Sequence, residues 1–276
     1  MMANKLFAIL KFVCPHPAFP RLRGRGIPAV AGMTLLTGVT IMPATAAQFN
    51  LLASTAVQTV LEEVLPAYER ASGNQVAVTI ASSAGIMSKL KAGESPDMVI
   101  LTREGIDELI TQGKVAAGSR AELASAGLGI AVKRGAAKPD ISSTAALKQT
   151  LLDAKSVAYT ATGASGLYFA RLLERLGIAE AMKPKSNILK SGLAGDAVAR
   201  GESDIGVQMI SEILAAPGAE LVGPLPAEIQ STMVFTAGTL AGSARAAETR
   251  SLADYLATPA VGAVFKAKGL DPASTK

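Results

Sequence analysis

Beyond residue 47 the sequence contains no cysteine and no histidine; the single copies, Cys14 and His16, both precede that point. Such a chain forms no disulfide, builds no His or Cys metal site, and holds no histidine-based or cysteine-based catalytic set. No metal bound directly by protein ligands and no cofactor is implied. A G-x-x-x-x-G-K-[ST] phosphate loop is missing, as is a G-x-G-x-x-G turn after a strand, so two nucleotide-binding signatures are excluded. After residue 47 no run approaches 18 consecutive apolar residues, and no spanning helix is expected there.

The first 47 residues lack any acidic side chain yet carry Lys5, Lys11, Arg21, Arg23 and Arg25. A largely apolar run follows over 27–42, then the small residues Ala44-Thr45-Ala46-Ala47. These are the three parts of a secretory signal, with cleavage after Ala46 or Ala47 and a periplasmic destination. An uncleaved anchor is the alternative, because 27–47 is about long enough to span a bilayer. No lipobox precedes Cys14. Losing the leader removes five basic residues from 27 and none of the 22 acidic ones, leaving 22 of each. The basic excess belongs to the leader, and no nucleic-acid partner is expected.

The remaining chain alternates strand and helix signals. Apolar residues 48–53 read as a strand; Val57, Val60, Leu61, Val64, Leu65 and Tyr68 recur at helical spacing, closed by Ser72-Gly73-Asn74. Val76, Val78 and Ile80 alternate as a strand. Ile86, Met87 and Leu90 mark a helix, 98–101 a strand, and Ile106, Leu109 and Ile110 another helix. Further strands are expected at 128–132, 157–160, 205–208, 221–222 and 232–237, with helices at 144–152 and 166–176 and closing helices around Pro259. The pattern is that of an α/β protein with helical crossovers. Two lobes are expected, 48–128 with 236–276 and 129–235, joined by crossings near 127–132 and 232–238, with residues 1–47 as signal peptide.

Serine and threonine gather where strands give way to helices: Ser54 after the first strand, Ser82 and Ser83 after the second, and Thr160 to Ser165, including Thr162, in the second half. Helix N-termini present unpaired N–H groups and partial positive charge, and ligands of open α/β sheets bind at the carboxyl ends of strands. Junctions of this kind converging on one cleft would hold a small anion. Helix capping alone accounts for the same residues. Gly163-Ala164-Ser165-Gly166 approaches a nucleophile elbow, but Leu167 stands where the pattern needs glycine.

Leu52-Ala53-Ser54, Ala81-Ser82-Ser83, the 93–100 block GESPDMVI, Ala164-Ser165-Gly166-Leu167-Tyr168 and the 201–207 block GESDIGV occur in order along the chain. Together they resemble the molybdate-binding protein family of ABC importers. That resemblance implies a two-lobed type II periplasmic binding protein fold, each lobe a mixed, mostly parallel sheet flanked by helices. It also implies that Ser54 and Ser83 hydrogen-bond an oxyanion, while Ser165 and Ser191 fall where the family supplies backbone N–H donors. Met209 stands where many members have a tyrosine, and methionine cannot donate that bond. Gln208 carries an amide donor, although strand alternation points it to the opposite face.

The expected protein is a monomeric, non-enzymatic periplasmic binder that delivers a small molybdate- or tungstate-like oxyanion to an ABC importer permease. Two alternatives stay open. One is the same fold binding another small anion or organic acid, for transport or sensing. The other is a secreted hydrolase, against which the missing histidine argues.

Overall fold

The computed structural model describes residues 47–273; residues 1–46, and with them all but Ala47 of the expected signal peptide, lie outside the described residues. Three strand–helix units open the fold: β1 (Gln48–Ser54), α1 (Gln58–Ser72), β2 (Gln75–Ala81), α2 (Ser83–Lys91), β3 (Met98–Thr102) and α3 (Arg103–Thr111). The long β4 (Ala121–Lys133) leads into α4 (Thr144–Asp153), β5 (Val157–Thr160), α5 (Ala164–Arg175), α6 (Ala179–Met182) and β6 (Ser186–Leu189). Then come α7 (Ala194–Ala199), β7 (Ile205–Met209), α8 (Ile210–Ala215) and β8 (Ala219–Pro224). The chain closes with β9 (Thr232–Thr239), α9 (Ala246–Leu256), α10 (Pro259–Ala267) and β10 (Asp271–Pro272).

The helix α1 shows why these segments fold as they do. Val60, Leu61, Val64, Leu65 and Tyr68 fall on one stripe at 3.6-residue spacing, and all five are buried. Burial of each large apolar side chain contributes about 1.5–3 kcal/mol relative to exposure. The helix stops at Gly73, whose φ of 73° is left-handed and whose N–H donates to the Glu69 carbonyl at 2.9 Å. In β1 the alternation splits the side chains between two cores: Leu51 and Ala53 join the main one, while Leu52 packs with Ile86, Val99 and Ile106 on the other face.

The strands run in the order β2-β1-β3-β9-β4-β7-β5-β6, with β8 and β10 also pairing to β4. The helix-connected strands β2, β1 and β3 are parallel, as are β6, β5 and β7, and between these groups β9 and β4 are antiparallel. Two α/β lobes result, as the alternation of elements led us to expect. Residues 121–127 of β4 pair with β9, whereas from Leu128 onward the strand pairs with β7 and β8. One continuous strand thus belongs to both halves. Segment 225–231 brings the chain back beside it, and there the Gln230 amide bonds both backbone groups of Leu128, accepting from N–H at 2.9 Å and donating to C=O at 3.0 Å. The main core is continuous through this crossing, including Leu128, Ile130, Leu225 and Ile229. No helix among the described residues is long and apolar enough to cross a membrane.

Candidate functional site

The carboxyl ends of the parallel strands carry the serines and threonines singled out from the sequence. Ser54 ends β1, in register with Ala81 of β2, so Ser82 lies one residue beyond it at the same edge. Ser54 is 3% exposed and its Oγ accepts from the Ala56 N–H at 3.4 Å; Ser82 Oγ accepts from Gly85 N–H at 3.1 Å. Both hydroxyls therefore cap the helical turns that follow them. Ser83 is the half-buried first residue of α2.

In the other lobe Thr160 ends β5 in register with Leu189 of β6. Thr162 is exposed in the turn after β5, and Ser165 is buried at the second position of α5. Gly166 is required here, because a Cβ at that position would stand 1.8 Å from the Thr160 carbonyl oxygen. Thr162 Oγ1 lies 3.4 Å from Ser82 Oγ, a contact that bridges the lobes at the outer limit of a hydrogen bond. Ser191 lies exposed in the loop after β6 and shares no hydrogen bond with the other predicted residues.

Gln208 and Met209 occupy the end of β7. The Gln208 side chain turns toward α7, where Oε1 accepts from Ala194 N–H at 2.7 Å and Gly195 N–H at 3.4 Å. That places its oxygen on the backbone donors of the α7 N-terminus. Met209 is 2% exposed and packed in the main core.

Sequence reasoning missed a residue one turn further on. Glu212, in α8, is 6% exposed and accepts a short hydrogen bond from the hydroxyl of Thr55, which follows Ser54 in the opposite lobe. Burial pushes its carboxyl above the usual carboxylate range; Thr55, the Gln208 side chain and the Met209 backbone N–H pull partly in the other direction. Glu212 stands at the third position of α8, where in a capping box a Glu reaches back toward the N–H of the residue before the helix, here Met209. Met209 stands where the usual serine or threonine partner would be, so no capping signature is legible there. Ser211 beside Glu212 and Thr160 at the end of β5 each bury a hydroxyl with no partner among the described residues. Arg103, first in α3 after β3, was also missed; its Nη2 binds Glu122 at 3.0 Å while its buried Nε has no partner.

The geometry is that of a solute-binding protein, and comparison with known proteins agrees. Residues 49–271 match the family described as bacterial extracellular solute-binding protein, and the chain belongs to it. The fold is shared with the periplasmic molybdate-binding protein of Azotobacter vinelandii, at a TM-score of 0.67 and 19% identity, covering 83% of this chain and 100% of that one. It is shared also with a sulfate-binding protein of Mycobacterium tuberculosis, at a TM-score of 0.66 and 16% identity, covering 83% and 88%. A nearer relative in sequence is the aconitate isomerase of a Pseudomonas species, 35% identical over 264 residues, which are 92% of this chain and 98% of that protein.

That last relative corrects the expectation of a non-enzyme, for it is an enzyme matched along almost its whole length. The expectation rested on the missing histidine and cysteine. Proton transfer at carbon requires neither, since a carboxylate made more basic by burial can serve as general base.

Proposed function

We propose that this protein is an isomerase built on a solute-binding fold, acting on a small unsaturated polycarboxylate of the aconitate type held between its lobes. The observation that carries this reading is the 35% identity to aconitate isomerase across nearly the full length of both chains. Features of the site support an organic acid over a tetrahedral metal oxyanion. The α7 N–H groups that would add to an oxyanion shell are taken by Gln208 Oε1, and Met209 offers no donor. Carboxylates in a row suit what remains: the N-termini of α2 and α5 with Ser82, Ser83, Thr162 and Ser165, and the guanidinium of Arg103.

Incubating the purified protein separately with cis- and trans-aconitate and following both by proton NMR tests this. The expected result is approach to one common mixture from either side. Absence of interconversion, together with thermal stabilisation by molybdate or tungstate alone, would overturn it.

Family membership supports a second role in the same compartment, presentation of the bound acid to an ABC importer from a periplasmic location. Retention of a permease by the ligand-loaded protein is the measurement for that role.

A further inference from the structure

The geometry points to Glu212 as the proton-transferring residue of the isomerisation, with Thr55 and Gln208 as the residues that position it. This inference rests on the isomerase reading above and names the group that does its chemistry.

Glu212 belongs to α8, which follows β7, yet its carboxylate is bonded by Thr55 from the turn after β1 in the other lobe. It therefore sits at the seam between the strand ends of the two lobes, where Ser82 and Thr162 also meet. When the lobes part to admit a ligand, the Thr55 bond opens and the carboxylate faces the space that the ligand enters.

Chemistry singles out the same residue. Among the described residues, Glu212 is the only Asp or Glu that is buried, and no neighbouring cation contributes to its ionisation behaviour. A structural carboxylate in such a place would ordinarily be paired with a cation. Desolvation without a cation makes it a stronger base, which suits removal of a weakly acidic C–H proton. Gln208, in β7 four residues earlier, favours the ionised carboxylate and is itself fixed by the Ala194 N–H.

The step balances without any co-reactant. In aconitate a methylene lies between a carboxylate and the carbon–carbon double bond. The Glu212 carboxylate takes one methylene proton, and the electron pair left on carbon spreads over the three-carbon allylic system and its carboxylates. The same proton, or one from solvent, returns to the far carbon, and the double bond moves to the other side of the central carbon. The product is the same tricarboxylic acid and can form in either geometry. Nothing is oxidised or reduced, and Glu212 ends ionised as it began.

The capping role of Glu212 offers a clean control, because Gln retains both the reach to the Met209 N–H and an oxygen for Thr55. Glu212→Gln is therefore expected to fold and to bind aconitate, seen as a retained thermal shift, while kcat falls by about 10²–10⁴-fold. Glu212→Asp should restore part of the rate. With substrate carrying two deuteriums at the methylene, the wild-type protein should move or lose one of them per isomerisation, and Glu212→Gln should leave both in place. Thr55→Val should shift the acid limb of the kcat profile to higher pH, since it removes a donor that favours the ionised carboxylate. A folded Glu212→Gln variant with wild-type kcat overturns the assignment but leaves the isomerase reading intact. An inactive wild-type protein overturns both. Retention of both methylene deuteriums at their original carbon during turnover overturns proton transfer itself.

Discussion

Gln230 holds Leu128 by both of its backbone groups at the point where β4 passes from one sheet to the other. The amide replaces a missing strand neighbour, offering an acceptor and a donor in the spacing of a peptide. Gln230→Ala leaves an N–H and a C=O of a crossing strand unpartnered and should cost about 1–3 kcal/mol. Denaturant titration reads this as a lower midpoint at unchanged slope. Gln230→Glu, which keeps the acceptor and loses the donor, should fall between the two.

The ionisation of Glu212 has a consequence for stability as well as for chemistry. Its folded-state carboxyl is held above the ordinary value, so the folded state binds the proton more tightly than the unfolded one. The stabilisation that follows is complete below the unfolded value of about 4.3 and is lost as pH rises through the higher folded one. Glu212→Gln should therefore raise the thermal midpoint at neutral pH, with a gain that shrinks on acidification toward pH 4. A variant equally less stable at every pH would contradict that sign.

Ser82 and Thr162 touch each other yet should respond differently to truncation. Ser82 caps α2 through Gly85, and Ser82→Ala should cost about 1 kcal/mol of stability. Thr162 is exposed and makes no cap, so Thr162→Ala should stay within about 0.5 kcal/mol. Both should weaken aconitate binding in calorimetry, because their contact forms only when the lobes meet.

Two glycines beside Thr160 differ in what an added methyl would strike. At Gly166 it meets a backbone carbonyl oxygen at 1.8 Å, whereas at Gly163 it meets the Thr160 hydroxyl at 2.4 Å. A hydroxyl can rotate away and a carbonyl of β5 cannot. Gly166→Ala should cost about 3 kcal/mol or more, and Gly163→Ala less than about 2 kcal/mol. Thermal unfolding of the two variants side by side gives the comparison.

Much of this was legible in the sequence because period and burial agree there. The stripe of α1, the alternation of β2 and the apolar runs of β3 and β5 each lie where the residues indicate. The first half of β4 was missed because Ala121, Ala124, Ser125, Ala126 and Gly127 are small and carry little strand character. Four-residue β6 and the six-residue helices α7 and α8 were missed because they span too little chain to show a period. Junction chemistry marks the strand ends that carry Ser54, Ser82 and Ser165. Glu212 carried no such mark. Its partner Thr55 lies 157 positions away in the chain.

The place of β9 has a consequence in time. It lies between β3 and β4 in the sheet although it is made after the whole of the second lobe. Until residue 239 is synthesised, β3 and the start of β4 lack the strand that joins them. The first lobe therefore cannot complete its sheet from the residues that open the fold. The strand that completes the first lobe's sheet is thus made after the whole of the second lobe.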